Sequence, residues 1–119
     1  MIPEADRKKL LRILEVIDQI RDCVERNEIT EKRILEDRDT QWMLSMPLAE
    51  IGEHVYSLSK EFKDAHPEGE WSFVSGMRHR LVHNYEGVSF AYVAETVFHD
   101  LDEFAACIQS ILESKGGAI

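Results

Sequence analysis

Apolar residues recur at steps of three and four along most of the chain, and this spacing constrains the fold more than any other feature. Three stripes carry it: Leu10, Ile13, Leu14, Ile17, Ile20 and Val24; Leu44, Leu48, Ile51, Val55, Leu58 and Phe62; and Val93, Val97, Leu101, Phe104, Ile108 and Ile111. Such steps align side chains on one face of an α-helix, whereas a half-buried strand alternates apolar and polar residues. No alternating stretch or repeat stands out. The sequence therefore predicts an all-α fold of four or five helices in an antiparallel bundle.

Residues that start and stop helices divide the first third of the chain. Pro3 stands near the beginning of the first stripe and Asn27 follows its last apolar residue, so we expect a helix over about residues 4–26. Thr30 belongs to the residue types that cap helix N-termini. We expect it to lead into a short turn through Leu35.

The second stripe lies in a long segment beyond Asp37, and its pattern continues for about five turns, up to Phe62. Pro47 stands inside this segment, where it removes a backbone donor and clashes with the preceding turn. We therefore expect a kink just before Pro47. A stripe of this length can pack against a neighbouring helix or against a second subunit.

The clearest break in the chain is His66-Pro67-Glu68-Gly69. A shorter helix follows it and carries Trp71, Val74, Met77 and Leu81. Ser89 is then expected to cap the last helix.

At 119 residues, the chain fits one domain, residues 1–119, because a chain of this size buries enough surface without disulfides or metals. We expect its core to cover about residues 4–112. The last residues, 113–119, include two adjacent glycines and are expected to form a frayed tail.

The formal net charge of −9 argues against broad, nonspecific affinity for nucleic acids or anionic membranes, and no DNA binding is expected. Cys23 and Cys107 form no CxxC pair, which argues against a disulfide framework or a zinc ribbon. The N-terminus lacks a basic start followed by an apolar run, and no apolar stretch is long enough to span a bilayer. These features predict a soluble cytoplasmic protein with no membrane partner.

Side chains that could bind an anion or transfer a proton are concentrated in one short segment, Arg78-His79-Arg80-Leu81-Val82-His83-Asn84-Tyr85. It lies in the longest stretch without acidic residues, between Glu70 and Glu86, in a chain that has 23 of them. Two arginines beside imidazole, amide and phenol groups favour a local site for an anion such as phosphate.

These residue types suit RNA cleavage, which needs a base for the 2′-hydroxyl, an acid for the leaving 5′-oxygen and a cation near phosphorus. Histidine has an ordinary pKa of about 6.5 and can perform either proton transfer. In a symmetric dimer, two copies of His83 divide these roles while Arg78 binds the phosphate. Asn84 would orient a phosphate or base, and Tyr85 would stack or hydrogen-bond.

Two other interpretations of the segment remain open. Arginine and histidine at a helix C-terminus often only satisfy the last carbonyls and the helix dipole. His79 and His83 also have the i, i+4 spacing of two zinc ligands, but Arg80 replaces the glutamate that follows the first histidine in a zincin helix. With two arginines disfavouring a cation, we expect no metal and no other cofactor.

The pattern of Arg78, four residues, His83, one residue and Tyr85 resembles the signature of the HEPN superfamily. Further landmarks are similar to those of its HepT-type toxin branch, in the same order: Asp37-Arg38-Asp39-Thr40-Gln41, Ile51-Gly52-Glu53, Trp71, and Arg78 to Tyr85 followed by Gly87. The resemblance covers nearly the whole chain. His79 stands where this branch often has asparagine.

The resemblance implies an all-helical homodimer that acts as a metal-independent endoribonuclease, with Arg78 and His83 of both subunits as catalytic residues. It also implies a toxin–antitoxin system whose antitoxin is a nucleotidyltransferase of the MntA type, which transfers AMP from ATP to Tyr85. His79, Asn84 and Tyr85 would support the site, and the substrate would be RNA, for example a tRNA end.

Two alternatives accompany this hypothesis. The first is a non-catalytic module that uses Arg78 and Arg80 to bind a nucleotide or to dock its partner, which suits the acidity of the chain. The second is a purely structural bundle that dimerises through the stripe from Leu44 to Phe62.

Overall fold

The computed structural model describes residues 2–72, 74–76, 81 and 89–117, with side chains as far as Glu113. Every regular element in these residues is helical, as predicted from the spacing of apolar residues. Among the described helices, none combines the length and the apolar character that crossing a bilayer requires.

Six α-helices are described, and they are connected by short turns. Their bounds are α1, Glu4–Arg26; α2, Glu31–Glu36; α3, Arg38–Tyr56; α4, Lys60–Ala65; α5, Phe90–Glu95; and α6, Leu101–Gly117. A 3₁₀ turn, Pro67–Gly69, follows α4, and Trp71, Ser72 and residues 74–76 are helical. A π-helical segment, Thr96–Asp100, joins α5 to α6. The last helix thus extends beyond Leu112, and residues 118 and 119 lie outside the described part.

Several predicted helix ends are confirmed. The first helix has the expected bounds, and the side chain of Asn27 at its end donates to the carbonyl of Cys23 at 2.9 Å. Thr30 caps α2 by accepting from the amide of Arg33 at 3.2 Å. Ser89 caps α5 through Tyr92 at 3.3 Å. The segment expected to be a short turn after Thr30 is the helix α2.

The expectation that one helical segment continues to Phe62 is wrong. The helix α3 includes Pro47 but ends at Tyr56, and Ser59 starts α4 by accepting from the amide of Phe62 at 3.1 Å. Asp6 of α1 is buried beside this break and accepts from the amide and hydroxyl of Ser59, at 2.9 and 2.6 Å. A local cap and a tertiary contact therefore both stabilise the break at Ser59.

The core forms where α3 and α6 pack against α1, while α2 packs against α3 and α5. Contacts at both ends show that α1 and α3 are antiparallel. Near the start of α1, the ammonium of Lys9 donates to the carbonyl of Ser57 at 2.7 Å. Near its end, the sulfur atoms of Cys23 and Met43 are 3.2 Å apart.

All three apolar stripes face this core. The second stripe is buried within a single chain, with exposed fractions of 0% for Leu44, Leu48, Ile51 and Val55 and 3% for Leu58 and Phe62. The expected packing against neighbouring helices is confirmed. The same burial contradicts a dimer built on this stripe, because its side chains are not available to a second subunit.

Candidate functional site

The residues selected for the site, Arg78, His79, His83, Asn84 and Tyr85, lie outside the described residues, as does Arg80. The structure describes the chain on either side of them and one residue among them. Helical residues 74–76 precede the segment, Leu81 lies within it, and Ser89 follows it.

Trp71 anchors the chain before the segment. It is buried, and its indole N–H donates to the carbonyl of His66 at 2.7 Å. Its ring lies against the rings of Phe62 and Phe104, with centroid distances of 5.5 and 5.8 Å. Aromatic pairs at these distances and tilts are favourable beyond their buried area. Three separate parts of the chain therefore meet at Trp71.

Gly69 makes this anchor possible. It is buried in the turn before Trp71, and a Cβ atom added to it would lie 2.1 Å from a carbon of the indole ring. Glu70, between the two, has a φ of 50°, which is uncommon for a residue with a side chain. At the His66-Pro67-Glu68-Gly69 break, the chain therefore makes a tight turn that packs against the indole ring of Trp71.

Leu81 is the one described residue within the segment, and it is buried. It is helical, 7% exposed, and belongs to the hydrophobic core. In sequence it stands three residues after Arg78 and two residues before His83. The candidate cation and the candidate proton-transfer group therefore flank a residue that is fixed in the core.

A cleft of about 370 Å³ lies between the turn at Gly69 and the helical residue Val74 on one side and α3 and α6 on the other. Apolar side chains of α3 and α6 form part of its wall, and four acidic residues line it as well: Glu68, Glu70, Asp100 and Glu103. Carboxylates repel phosphate, so this cleft does not suit an RNA backbone.

Cys107 also lines this cleft. Its sulfur lies 3.8 Å from the carbonyl oxygen of Glu68. Burial raises the pKa of the Cys107 thiol, and the charges of Glu68 and Glu70 raise it further. Because the thiolate is the reactive form, this cysteine is a poor nucleophile.

The described histidines are dispersed, and each lies near a carboxylate. Nε2 of His54 is 3.0 Å from Glu50, Nδ1 of His66 is 3.4 Å from Glu68, and Nε2 of His99 is 3.9 Å from Glu95. They stand on α3, after α4 and in the π-helical segment. Within the described ranges, no group of three His, Cys, Asp or Glu residues could hold a metal ion.

One ion-pair network was not predicted from the sequence. Arg12 of α1 donates twice to Glu50 of α3, at 2.7 and 3.3 Å, and Glu50 is also the carboxylate beside His54. The bond from Arg12 lowers the pKa of Glu50. Arg12 and Glu50 are partly exposed and bridge two core helices, so this network is structural.

A family model described as HepT-like ribonuclease matches residues 13–111. The chain belongs to the HepT-like ribonuclease family. The match covers most of the chain and includes the whole segment from Arg78 to Tyr85. Family membership identifies the chain as an RNA-cleaving nuclease of the HepT type.

Individual relatives support this membership. A protein of Thermococcus cleftensis named "Probable ribonuclease HepT" is 34% identical over 89 residues, which cover 75% of this chain and 79% of the relative. One from Methanocaldococcus jannaschii, "Putative RNase MJ0127", is 24% identical over 98% of this chain and 95% of its own length. "Putative RNase TTE0752" of Caldanaerobacter subterraneus is 35% identical over 65 residues, 55% of this chain and 58% of that protein. No solved structure matches the chain significantly.

One landmark of this HepT-like chain has a structural role that the sequence alone did not reveal. Asp37 caps α3 by accepting from the amide of Thr40 at 2.9 Å, and it also accepts from the Thr40 hydroxyl. Arg33 donates to the same hydroxyl at 3.0 Å, and Gln41 donates to the carbonyl of Ile34 at 2.8 Å. The Asp37-Arg38-Asp39-Thr40-Gln41 landmark therefore fixes the junction between α2 and α3.

Proposed function

We propose that this HepT-like ribonuclease is a metal-independent endoribonuclease whose active site combines Arg78 and His83 of two identical subunits. The observation that carries the proposal is the family match, since the matched residues 13–111 span the segment that contains Arg78 and His83. Burial of Leu81 between them supports it, because a positioned site needs a rigid attachment to the core.

The proposed chemistry is an internal transesterification. One His83 takes the proton of the 2′-hydroxyl, and the 2′-oxygen attacks phosphorus. The bond from phosphorus to the 5′-oxygen breaks, and the second His83 gives that oxygen a proton. The products are a 2′,3′-cyclic phosphate and a 5′-hydroxyl. Arg78 stabilises the charge on the phosphoryl oxygens through its forked donors.

The supporting residues have assigned tasks in this scheme. Asn84 orients a phosphate or a base, His79 donates a hydrogen bond, and Tyr85 stacks on a base or hydrogen-bonds to the substrate. Two subunits are required because one imidazole does not serve as base and acid in the same step.

The activity test is cleavage of total cellular RNA by purified protein whose intact mass shows no modification, with EDTA present. We expect discrete fragments from wild type, ending in cyclic phosphates, and a loss of at least about 100-fold in His83→Ala. His99→Ala is the matched control, because His99 is exposed and distant in sequence from the segment. Equal cleavage by wild type and His83→Ala would contradict the proposal.

We also propose that the protein is the toxin of a cytoplasmic toxin–antitoxin pair. Its antitoxin is a nucleotidyltransferase of the MntA type that transfers AMP from ATP to Tyr85. The added phosphate places negative charge close to Arg78 and His83 and repels the RNA backbone. This proposal is supported by the position of Tyr85 two residues after His83.

Modification is tested by incubating the protein with ATP and such a nucleotidyltransferase and measuring intact mass. Wild type and Tyr56→Phe should gain one AMP group and lose ribonuclease activity, whereas Tyr85→Phe should remain unmodified and have the same activity with and without the nucleotidyltransferase. Tyr56 is a suitable control because it is 65% exposed. Modification of Tyr85→Phe would place the acceptor elsewhere.

A second candidate function is a non-catalytic module that binds a nucleotide or docks its partner through Arg78 and Arg80. The net charge of −9 and the acidic cleft favour it, because both oppose the binding of long RNA. It predicts saturable AMP binding that Arg78→Ala abolishes, while RNA stays intact under every condition.

A further inference from the structure

The acidic cleft between the turn at Gly69 and α6 combines a charged rim with an apolar base. Ile51 and Leu101 line it although they are only 0% and 3% exposed, so they lie at its base. Val74 and the ring of Phe104 add further apolar surface. With a volume of about 370 Å³, the cleft falls in the size range of pockets that bind small molecules.

The carboxylates of the acidic cleft stand on two opposite walls. Glu68 and Glu70 belong to the turn, whereas Asp100 and Glu103 belong to the end of the π-helical segment and the first turn of α6. Three of them are exposed at the rim. Asp100 is half-buried and accepts a hydrogen bond from the buried hydroxyl of Thr96 at 3.4 Å. The fold thus places two pairs of carboxylates around one apolar base.

No basic side chain in the described part of the chain neutralises this cleft from within. The described residues that line it include no lysine, arginine or histidine. Glu68 lies 3.4 Å from Nδ1 of His66, but Glu70, Asp100 and Glu103 form no ion pair with a described residue. Like charges around one cleft repel each other, and their combined field attracts a cationic ligand.

The carboxylates are spread along the acidic cleft rather than gathered at one point. Within the described ranges, no three His, Cys, Asp or Glu residues are placed to hold a metal ion. A compact ion such as Mg²⁺ requires oxygen ligands at about 2.1 Å from one centre, which this arrangement does not provide. A longer cation, with its charges separated by apolar linkers, matches both walls and the base between them.

We propose that the acidic cleft binds a linear organic cation of the polyamine class, in which ammonium groups are joined by methylene chains. The ammonium groups donate to the carboxylates of both walls, and the methylene chain between them covers Ile51 and Leu101. The ring of Phe104 attracts an ammonium group as well. Burial of methylene groups and relief of the repulsion between carboxylates both favour this binding.

This inference is independent of the proposed function. It uses no residue of the segment 77–88, and polyamine binding is measured without RNA cleavage. Because polyamines also bind the RNA backbone, the experiments use protein from which RNA has been removed by a high-salt wash.

The first experiment is calorimetric titration of the full chain with spermidine, which has three ammonium groups. We expect saturable binding of one molecule per chain. Butylamine has a methylene chain but one ammonium group, and Mg²⁺ has charge but no methylene groups. Each should bind at least about tenfold more weakly, because neither matches both walls and the base. Absence of saturable spermidine binding, or equally tight binding of either comparison ligand, would overturn the proposal.

The second experiment removes one carboxylate from each wall. Glu70→Gln combined with Glu103→Gln should raise the dissociation constant for spermidine at least about tenfold, because two ion pairs are lost. The matched control combines Glu31→Gln with Glu36→Gln, which makes the same change in net charge at exposed positions of α2. The control should bind spermidine as wild type does. Equal losses in the two double variants would indicate attraction to the net charge alone, which contradicts a site in the cleft.

The third experiment fills the cleft covalently and leaves its carboxylates unchanged. N-ethylmaleimide is attached to Cys107 in a Cys23→Ser protein and, as the control, to Cys23 in a Cys107→Ser protein. Both cysteines are free and half-buried, but Cys107 lines the cleft and Cys23 does not. After intact mass confirms one adduct in each, the Cys107 adduct should not bind spermidine, and the Cys23 adduct should bind it unchanged. Equal binding by the two adducts would place the polyamine elsewhere and overturn the proposal.

Discussion

Gly69 shows how one residue without a side chain positions the chain that leads to the candidate site. The indole of Trp71 occupies the space where a Cβ would be, so the turn and the tryptophan can be buried together. Among the described residues, no atom outside the neighbouring helix backbone lies within 4 Å of a Cβ added to Gly76, in the helical residues after Trp71. The two glycines have different structural roles although they look alike in the sequence.

Gly69→Ala should lower the free energy of unfolding by about 1–3 kcal/mol, because the new methyl group forces the indole ring to shift. Gly76→Ala should leave it unchanged or raise it by up to about 1 kcal/mol, since alanine reduces the entropy of the unfolded chain. Urea denaturation of both variants measures these changes. A Gly69→Ala protein as stable as wild type would show that the ring can move freely.

Asp6 also acts at the scale of one residue. Its buried carboxylate accepts two hydrogen bonds from Ser59, so Asp6→Ala should cost about 2 kcal/mol of unfolding free energy. Asp18→Ala removes an exposed carboxylate from the same helix and should change stability by less than about 0.5 kcal/mol. Thermal denaturation followed by circular dichroism compares them, and similar losses in both variants would contradict this role of Asp6.

At the scale of elements, ionic contacts hold the two long helices α1 and α3 in register. The bond from Arg12 lowers the pKa of Glu50 in the folded protein, whereas the unfolded chain has an ordinary glutamate pKa of about 4.3. The unfolded state therefore binds more protons as the pH falls through this range. The stability that Glu50 contributes is complete above about pH 5 and is lost as the pH falls toward its folded pKa.

Glu50→Gln should consequently lower the melting temperature at pH 7, and the difference from wild type should shrink as the pH falls from 5 toward 3. Because Glu50→Gln and wild type differ at one carboxylate only, the contributions of Asp37 and the other acidic residues to the pH dependence of stability cancel in the comparison. Melting curves at four or five pH values provide the measurement. A difference that stays constant or grows in acid would contradict the assigned direction.

The helices also show where sequence reasoning worked at this scale and where it failed. The bounds of α1 followed from Pro3, Asn27 and the spacing between them, because local capping and periodicity specify such a helix. The end of α3 did not follow, since the apolar pattern continues without interruption to Phe62. Ser59 is a capping residue, but the uninterrupted apolar pattern hides the break, and the contact with Asp6, far away in sequence, is not visible in any local pattern.

At the scale of the whole molecule, an acidic protein has to bind RNA through a small cationic area. If Arg78 and Arg80 of two subunits provide the contacts, about four cations meet the backbone, and the slope of log affinity against log salt should be about −3 for single-stranded RNA. The inactive His83→Ala protein allows this titration without cleavage. A slope steeper than about −6 would indicate a wide basic surface instead.

Sequence by itself determined the helical class, the stripes that form the core and the family to which the chain belongs, because periodicity and motif spacing are local properties. It also indicated Arg78, His79, His83, Asn84 and Tyr85 as the site, and these assignments remain predictions. Tertiary structure decided that the Leu44 to Phe62 stripe is buried within one chain and that Trp42 and Met46 of the same helix α3 are left exposed. Periodicity shows that a helix has an apolar face, but which helix covers that face depends on contacts between residues distant in sequence.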